Sequence, residues 1–461
     1  GMPKPPAGCR SQHLASSAPG VSRRQVLASA ATTAATAAAS AACGPLLLAP
    51  ASALGYAANE QLGIALIGVG GRGQWFVETI PRIGQRVVAM CDVNDARAAD
   101  SFKKLPEPPK YRDFRRLLDA EDRRLDAVIV ATPDHWHARA CLDALAAGKD
   151  VYCEKPLTYR SSEGPEIIAA ARRTGRIVQV GSQGMSSMTQ NHARELIQGG
   201  RLGQVTLIRA AYNRNTASGA WIYPIPPDAG PETVNWEMFL GPAPRRPFSL
   251  ERFFRWRCYE DYSGGIATDL FVHLCTTIHY LMNAKMPKRV MAMGELYRWK
   301  ESREVPDTLN AVLEYPEGFT VNLSSTFNNQ SSSEASFMFL GTEGTISVGW
   351  GELRYWPENV REDNRWIVES WPRRLEEQYW KDPKVQQEEL RHLNRPRLID
   401  GGNVWREEGQ DATVVHFWHF LNSIRTRKPY WQNEVAGHHA AACAHMVNES
   451  VTRTIATPGG T

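Results

Sequence analysis

The chain is constrained most by residues 62–92, where an apolar run, a glycine-rich turn, a helical run and a second apolar run follow one another. Leu62 to Ile67 has the composition of a buried β-strand and leads into a G-x-G-x-x-G motif. The second apolar run begins at Val87 and ends in an acid, Asp92. This order predicts a βαβ unit that binds a dinucleotide, because a glycine turn between a strand and a helix can hold a pyrophosphate.

Each position of this motif has an expected task. Gly68 allows a tight turn, Gly70 lets the backbone approach a pyrophosphate, and Gly73 lets the helix pack closely on the strand. The helix N-terminus faces the phosphate charge. Asp92 stands where a carboxylate accepts hydrogen bonds from the adenosine ribose and repels a 2′-phosphate, which favours NAD over NADP. The predicted cofactor contacts in this stretch are Gly68, Gly70, Gly71, Arg72, Gly73 and Asp92.

The charge of the chain excludes several classes of partner. A chain of 461 residues is long enough for two or three domains, and its formal net charge is +4. Residues 1–53 contain four basic residues and no acid, and the other 49 basic residues are matched by 49 acidic ones. A balanced charge gives no reason to expect binding to nucleic acid or a stable membrane partner.

Residues 1–53 are predicted to be an export signal that follows a short tag remnant. Ser22, Arg23 and Arg24 begin a twin-arginine pattern, and the uncharged run after them is mostly Ala, Ser and Thr. Residues 51–53 form a small-residue cleavage site. The expected location is therefore the periplasm or another exported compartment. An Ala-rich tail, a retained membrane anchor and lipidation at Cys43 stay open as alternatives.

Strands and helices continue to alternate after Asp92, with apolar runs at 125–131, 150–153 and 177–180. This alternation predicts an α/β fold in which residues 54–185 form a doubly wound parallel sheet, the NAD-binding Rossmann domain. Ligands bind beyond the carboxyl ends of the strands in such a sheet. The loops at those ends supply a further set of predicted cofactor contacts: Thr132, Pro133, His137, Glu154, Lys155 and Gln183.

From about Arg201 the pattern changes to short strands joined by turns. Residues 186–455 are predicted to form a C-terminal α+β domain with a large antiparallel-rich open sheet. A polar insertion is expected at about 357–412. The six cysteines after the signal have no metal or redox spacing and are expected to be buried free thiols. Histidine pairs such as His135 with His137 lack a third ligand, so no metal site is predicted.

The ordered set of motifs resembles the Gfo/Idh/MocA oxidoreductases, a family of NAD(P)-dependent sugar and inositol dehydrogenases. The resemblance covers roughly residues 60 to 455. Besides the glycine loop with Asp92, it rests on Ala131-Thr132-Pro133 with His137, on Ala147-Gly148-Lys149 leading to Glu154-Lys155-Pro156, and on Asp269-x-x-x-His273. The exported start and the phrases Asp134-His135-Trp136-His137 and Asp261-Tyr262-Ser263-Gly264-Gly265 resemble a periplasmic branch of the family.

The resemblance implies three catalytic residues. Lys155 contacts both the substrate hydroxyl and the cofactor, and a cation at that place stabilises developing alkoxide charge. His273 removes the hydroxyl proton, and Asp269 helps to hold the substrate. Asp269 and His273 lie four residues apart in a predicted helix from Ile266 to Met282, so they share one face. A histidine that titrates near neutrality suits the role of base.

Other expectations concern the substrate and the geometry around Lys155. Aromatic faces and forked donors near the predicted catalytic helix suit a polyhydroxylated ring. The resemblance also implies a cis bond before Pro156, and this chain has Thr276 where the family often has an Asp. The candidate substrate contacts are Tyr212, Asn213, Trp256, Arg257 and Tyr262.

The sequence thus predicts an NAD-dependent oxidoreductase that transfers a hydride between a sugar, glycoside or cyclitol hydroxyl and a tightly held nicotinamide cofactor. Two alternatives stay open. One is an NAD-dependent glycosidase that works by transient oxidation and elimination, and the other is a non-catalytic NAD-binding sensor. The resemblance also implies a homodimer or homotetramer that forms through the second-domain sheets.

Overall fold

The computed structural model describes residues 61–358, 365–387, 403–409 and 411–453. The predicted export signal, with its twin-arginine motif and Cys43, lies outside the described residues. The strands within these ranges are β1 (Gly63–Ile67), β2 (Arg86–Cys91), β3 (Lys110–Tyr111), β4 (Ala127–Val130), β5 (Asp150–Glu154), β6 (Val178–Gly181), β7 (Val205–Ala211), β8 (Arg289–Glu295), β9 (Thr308–Glu314), β10 (Thr320–Thr326), β11 (Ser336–Gly341), β12 (Gly344–Val348), β13 (Glu352–Pro357) and β14 (Asn403–Arg406).

The helices are numbered in the same way along the described residues, and a π-helical segment at Ala267–Phe271 directly precedes α9. The α-helices are α1 (Gly73–Arg82), α2 (Asp95–Lys104), α3 (Phe114–Ala120), α4 (His137–Ala146), α5 (Glu163–Thr174), α6 (Met188–Gln198), α7 (Trp236–Leu240), α8 (Leu250–Phe254), α9 (Val272–Met282), α10 (Arg365–Val368), α11 (Arg373–Lys381), α12 (Pro383–Val385), α13 (Ala412–Thr426) and α14 (Glu434–Thr452). Short 3₁₀ turns cover Asp122–Arg124, Asp134–Trp136, Gln183–Ser186 and Trp256–Cys258.

The first sheet is parallel, with the order β3-β2-β1-β4-β5-β6 among the described strands. Leu66 of β1 lies opposite Met90 on one side and Ile129 on the other. The central strands are buried along their whole length, which is typical of a parallel sheet covered on both faces. This topology confirms the predicted doubly wound sheet, in which the strand order reverses between β1 and β4.

Alternate residues of β1 enter two different cores. Ala65 and Ile67 pack with α3, α4 and α5, whereas Ile64 and Leu66 pack with α1. The helix α13, far along the chain, completes this second core with Phe417 and Phe420. Its aromatic rings make edge-to-face contacts with Phe76 and Tyr152, so a helix assigned by sequence to the second domain covers the first sheet. The domain boundary at residue 185 stays a prediction.

The second sheet has the order β14-β13-β12-β11-β7-β10-β9-β8 among the described strands. β7 and β10 are parallel, and the other neighbouring pairs are antiparallel. Alternate residues are buried against α6, α9 and α14, as along β9, where Leu309, Ala311 and Leu313 enter the core. This arrangement confirms the predicted antiparallel-rich open sheet, in which one face packs on helices.

Two segments differ from the sequence expectation. Part of the predicted polar insertion is ordered structure, because β14 pairs with β13 and Glu407 accepts hydrogen bonds from the Thr189 backbone and hydroxyl at the start of α6. The predicted helix from Ile266 to Met282 is not α-helical throughout, since it begins with the π-helical segment. Local periodicity does not distinguish a π turn from an α turn.

Two other features of the described chain bear on earlier expectations. The cysteines at 91, 141, 153, 258, 275 and 443 are buried and free, as predicted. Within the part of the chain that the structure describes, no helix combines the length and the apolar character needed to cross a membrane.

Candidate active site

A cavity of about 440 Å³ lies at the carboxyl ends of the parallel strands. The loops after β1, β2, β4, β5 and β6 line one side of it, and the segments around α8 and the π-helical segment line the other side. The predicted residues that line this cavity are Gly68, Gly70, Gly71, Arg72, Asp92, Thr132, Pro133, His137, Glu154, Lys155, Gln183, Trp256, Arg257, Asp269 and His273. The structure therefore brings most of the predicted site together.

The glycine turn has the geometry that its sequence predicts. Gly68 has a φ of +87°, a region that side chains other than glycine rarely adopt. Gly73 does not line the cavity, and a Cβ there would lie 1.7 Å from the carbonyl oxygen of Gly68. The start of α1 can pack this closely on the turn only without a side chain at position 73. The loop therefore fits the pyrophosphate of a dinucleotide, with the N-terminus of α1 beside it.

Asp92 is held by the backbone of the same loop. One carboxylate oxygen accepts hydrogen bonds from the Val69 N–H (2.9 Å) and the Gly70 N–H (3.0 Å), and the other accepts from Asn94 (2.9 Å). Burial raises the pKa of Asp92, and these hydrogen bonds oppose that effect. The carboxylate is thus fixed at the end of β2, where it was predicted to meet the ribose of the cofactor.

Contacts between neighbouring loops position the end of β5. The Arg72 guanidinium and the Gln183 amide both donate to the Glu154 carboxylate, at 3.0 and 3.1 Å. The His137 ring lies between the Pro156 carbonyl oxygen (Nδ1, 2.6 Å) and the Thr132 carbonyl oxygen (Nε2, 2.9 Å). His137 therefore braces the loops after β4 and β5 against each other. The Lys155–Pro156 peptide is cis, as the resemblance implied.

Lys155, Asp269 and Arg257 form one charged cluster. The Lys155 ammonium donates to the Asp269 carboxylate (2.7 Å) and to its backbone carbonyl (2.9 Å), and Arg257 donates to the same carboxylate (3.1 Å). Burial alone raises the pKa of Asp269, but the charges of Lys155 and Arg257 outweigh it and hold that pKa well below its usual range. Asp269 is therefore ionised at neutral pH.

His273 lines the same cavity one turn further along, in α9. Burial, followed by the charge of Lys155, lowers the pKa of His273 to about 3. The expectation of a histidine that titrates near neutrality was therefore wrong. The sequence pattern placed His273 beside Asp269 but carried no information on burial, which disfavours the imidazolium. The ring is neutral at physiological pH and can accept a proton at a ring nitrogen.

Three of the five predicted substrate contacts do not line the cavity. Tyr262 is 0% exposed and packs against His135 and Phe239. Asn213 is turned to the protein, since its carbonyl oxygen accepts from the Thr326 N–H and its amide donates to the Ser331 carbonyl oxygen. Tyr212 lies beside the cavity, where its ring contacts the Arg214 guanidinium. The assignment of these three residues to the substrate stays a prediction, since the sequence does not tell a residue of the cavity wall from one that is packed into the protein.

The other two predicted substrate contacts do line the cavity. Arg257 lies over the Trp256 ring, with its guanidinium carbon 4.2 Å from the ring centroid. This stacking supports the orientation in which Arg257 reaches Asp269. An aromatic face and a fork of donors therefore stand together beside Lys155.

The structure adds cavity residues that the sequence analysis did not assign, among them Asp134, Arg214, Trp221 and Tyr223. Asp134 is 3% exposed, and burial raises its pKa to about 7 although Lys155 and Arg257 lower it. Trp221 is buried with a φ of +68°, a strained conformation for an aromatic residue. Its place in the loop after β4 was the available signal for Asp134. No comparable sequence signal marks Trp221, which lies in a long loop.

The histidines considered for a metal have other partners. His135 contacts the Phe239 carbonyl oxygen at 2.7 Å, and the His416 ring contacts the Ser186 hydroxyl and the Val180 carbonyl oxygen. Within the described ranges, no group of three or more His, Cys, Asp or Glu side chains is arranged to hold a metal ion.

Comparison with known proteins agrees with this geometry. Residues 62–182 match the Gfo/Idh/MocA model described as an oxidoreductase family with an NAD-binding Rossmann fold, and residues 238–347 match the C-terminal domain model of the same family. The two matches together cover about half of the chain. The chain therefore belongs to the Gfo/Idh/MocA family, and its first sheet is an NAD-binding Rossmann fold.

Individual relatives are more distant. Trans-1,2-dihydrobenzene-1,2-diol dehydrogenase of Oryctolagus cuniculus is 26% identical over 258 residues, which cover 55% of this chain and 66% of that enzyme. Inositol 2-dehydrogenase of Rhodococcus erythropolis is 35% identical over 162 residues, which cover 34% of this chain and 46% of that enzyme. The chain thus spans about two thirds of the first relative and less than half of the second.

A solved levoglucosan dehydrogenase, in complex with NADH and levoglucosan, has a similar fold. It superposes with a TM-score of 0.62 at 17% identity, over 85% of this chain and 98% of that one. At this identity the likeness concerns the fold.

Proposed function

We propose that the protein is an NAD-dependent oxidoreductase that oxidises a secondary hydroxyl of a sugar, glycoside or cyclitol. The observation that carries this proposal is the cluster of Lys155, Asp269 and His273 in the cavity that the NAD-binding loop also lines. A cation, an ionised acid and a neutral base stand together there, and these are the groups that the oxidation of an alcohol requires.

Each residue has a distinct task in this reaction. The Lys155 ammonium donates a hydrogen bond to the reacting hydroxyl and stabilises negative charge as it develops on that oxygen. Asp269 holds the ammonium by two of its donor hydrogens, which leaves the third available for the substrate. The neutral His273 accepts the hydroxyl proton at a ring nitrogen. NAD, when bound, supplies the acceptor for the hydride from the carbon, and a ketone remains.

The printed names of relatives support the substrate class. The rabbit relative is named for a cyclic diol, the Rhodococcus relative for inositol, and the solved neighbour is a complex with levoglucosan. All three are ring compounds with neighbouring hydroxyls. The proposal for this chain is correspondingly a polyhydroxylated ring.

Export and self-association are part of the same proposal. The twin-arginine pattern favours export of a folded protein that carries its cofactor, and this pattern lies outside the described residues. The outer face of the second sheet exposes Met291 (74%) and Met293 (63%), and Val312 pairs with Met291 across β8 and β9. An exposed apolar face of this kind supports a homodimer or homotetramer that buries it. A Met291→Lys variant that keeps the oligomeric mass of the wild type in light scattering would contradict this arrangement.

The test of the activity uses Lys155→Met and a matched control, Lys103→Met. Lys103 is an exposed lysine of α2 and does not line the cavity. Mass spectrometry of the small molecules released on denaturation measures bound NAD, and single turnovers with a panel of sugars and cyclitols measure NADH formation. The expected result is that Lys155→Met keeps its NAD and loses hydride transfer, whereas Lys103→Met behaves as the wild type.

Two results would change the assignment. Normal turnover by Lys155→Met would remove Lys155 from the chemistry. Release of a leaving group from a glycoside without net NADH would favour the glycosidase that uses transient oxidation and elimination.

A further inference from the structure

Arg214 is a cation of the cavity that the reaction described above does not use. It follows β7 in the loop that leads to Trp221, and its side chain lines the cavity. Its guanidinium lies 5.2 Å from the centre of the Tyr212 ring and donates a long hydrogen bond (3.4 Å) to the Tyr212 hydroxyl. Its charge also acts on Asp269 and His273, which places it on the substrate side of the site.

Arg214 differs from its cationic neighbours in having no carboxylate partner among the described residues. Lys155 and Arg257 share Asp269, and Arg72 pairs with Glu154. The Nε of Arg214 is shielded from solvent and has no hydrogen-bond acceptor in the described part of the chain. A half-buried guanidinium without a counter-ion is less stable than one that is paired with an anion. An anion that enters the cavity would relieve that cost.

The charges on the substrate side of the cavity also favour an anionic ligand. Three cations, Lys155, Arg214 and Arg257, face one strongly ionised acid, Asp269. Asp134 is the other acid on this side, and its burial favours the neutral form. The site therefore has an excess of positive charge before a substrate binds.

We propose that Arg214 binds a carboxylate of the substrate, so that the substrate class is an acidic sugar of the hexuronic acid type. A planar guanidinium matches the two oxygens of a carboxylate in a bidentate contact. A carboxylate brings one negative charge, which balances the charge of Arg214. The inference rests on the proposed function, because it names the substrate of the same site.

The aromatic residues around Arg214 fit the rest of such a ligand. Trp221 lies in the same loop and is held in its strained backbone conformation by contacts on both sides. Its ring packs edge-to-face on Phe327 (4.7 Å), and Arg303 donates to the carbonyl oxygen of the preceding Ala220. Trp256 lines the same cavity. Aromatic faces bind the C–H faces of a sugar ring, while the carboxylate and hydroxyls meet the cations.

The experiment measures binding by calorimetry to the NAD-loaded protein. The probes are glucuronate, galacturonate and mannuronate, each with the neutral hexose of the same stereochemistry. The variants are Arg214→Gln, Arg214→Lys and, as a control, Arg173→Gln, which removes an exposed arginine from the last turn of α5. We expect at least one uronate to bind the wild type about 10 to 100 times more tightly than its neutral partner, as for one hydrogen bond to a charged group.

Arg214→Gln is expected to lose this preference, because its affinity for the uronate falls much more than its affinity for the neutral hexose. Arg214→Lys is expected to keep part of the preference for the uronate, because it keeps the positive charge but loses the bidentate geometry of the guanidinium. The control Arg173→Gln is expected to keep the whole preference. The proposal is overturned if none of the three uronates binds the wild type better than its hexose. It is also overturned if Arg214→Gln weakens acidic and neutral sugars equally. Tighter binding of the hexose 6-phosphates, lost in Arg214→Gln, would replace the carboxylate with a phosphate.

Binding separates this inference from the proposed function. A uronate that binds through Arg214 but is not oxidised would overturn the proposed oxidoreductase activity and leave the ligand assignment in place. Oxidation of neutral sugars alone, with rates unchanged in Arg214→Gln, would keep the proposed oxidoreductase activity and overturn the assignment of an acidic ligand.

Discussion

Lys155 and Asp269 are 114 positions apart, and the ammonium of one lies 2.7 Å from the carboxylate of the other. Lys155 stands directly after the fifth strand of the parallel sheet, and Asp269 belongs to the π-helical segment before α9. The contact therefore joins the cofactor side of the cavity to the substrate side. π-Helical turns are frequent at functional sites, and here the turn carries the acid that meets the lysine.

Replacement of Asp269 by Asn is predicted to separate activity from stability. The amide keeps the shape of the side chain but leaves Lys155 and Arg257 without their shared counter-ion. We expect kcat to fall by about 10²-fold or more, because Lys155 loses the carboxylate that positions its ammonium. NAD content should stay stoichiometric, since Asp269 is assigned to the substrate rather than the cofactor.

Asp150→Asn is the matched control for this prediction. Asp150 is also buried and pairs with a guanidinium, that of Arg427, at 2.8 Å through both oxygens, but it does not line the cavity. Loss of the Asp150 charge should lower the free energy of unfolding by about 1–3 kcal/mol and leave kcat unchanged. Equal losses of kcat in the two variants would contradict a specific role for Asp269.

The pH dependence of oxidation is predicted to report Asp134 rather than His273. His273, with its pKa of about 3, stays neutral and competent as a base across the range from pH 5 to 8. Asp134 takes up a proton as the pH falls through about 7, because burial raises its pKa to that value. The site then loses one negative charge, and its net charge becomes more positive. Because a more positive site disfavours proton uptake by His273, kcat/KM should decrease as the pH falls.

Asp134→Asn provides the check on this assignment. Its side chain is permanently neutral, so the profile of the variant should be flat near pH 7, at the level of the acidic form. His273→Asn should lower the rate at every pH while keeping the inflection. An inflection that survives in Asp134→Asn would assign it to another group.

Much of this fold could be predicted because its determinants are local. The glycine turn needs a positive φ at Gly68 and close packing at Gly73, and both requirements can be read from the glycines at these two positions. The carboxyl ends of parallel strands meet at one edge, so the approximate places of Asp92, Thr132 and Lys155 follow from the strand pattern alone. Residues whose role depends on their own loop or strand were therefore found.

The features that the sequence did not predict depend on distant partners. Arg214 is notable because no described carboxylate forms an ion pair with it, and such an absence exists only in three dimensions. Tyr262 and Trp256 are both aromatic residues shortly before the predicted catalytic helix, yet Tyr262 packs against Phe239 and His135 and does not line the cavity. The low pKa of His273 likewise results from burial by segments far away in the chain.

Stability is predicted to decrease in acid because of His416. This residue is 0% exposed, and its ring donates from Nε2 to the Val180 carbonyl oxygen and accepts at Nδ1 from the Ser186 hydroxyl. Burial lowers the pKa of His416 to about 3, against about 6.5 in an unfolded chain. Between these values the unfolded state binds more protons, so the free energy of unfolding falls as the pH decreases, by up to about 1.4 kcal/mol per unit.

Urea denaturation at pH 7.5, 6 and 5 measures this slope. His416→Gln should be less stable than the wild type at pH 7.5 and lose less stability between pH 7.5 and 5. The control His192→Gln, which replaces a half-exposed histidine of α6, should show the wild-type slope. An unchanged slope in His416→Gln would assign the acid sensitivity to other buried histidines, such as His135 and His445.

Gly71 and Gly73 of the cofactor loop are predicted to respond differently to the same added methyl group. An alanine Cβ at position 73 would lie 1.7 Å from the Gly68 carbonyl oxygen, a backbone atom that cannot move without opening the turn. The nearest atom to a Cβ at position 71 is the Arg97 guanidinium nitrogen, at 3.6 Å, an ordinary contact. Gly73→Ala should therefore lose bound NAD and about 1–3 kcal/mol of stability, as overpacked sites do.

Gly71→Ala should fold with wild-type stability, so any change in its NAD content reports on the cofactor contact and not on the turn. Thermal unfolding with mass spectrometry of the released nucleotide measures both quantities in each variant. If Gly73→Ala retained stoichiometric NAD and the wild-type midpoint, the close approach of α1 to Gly68 would not be what shapes the cofactor loop. If Gly71→Ala alone lost NAD, the pyrophosphate would be bound over Gly71, directly beside Arg72 and the end of β5.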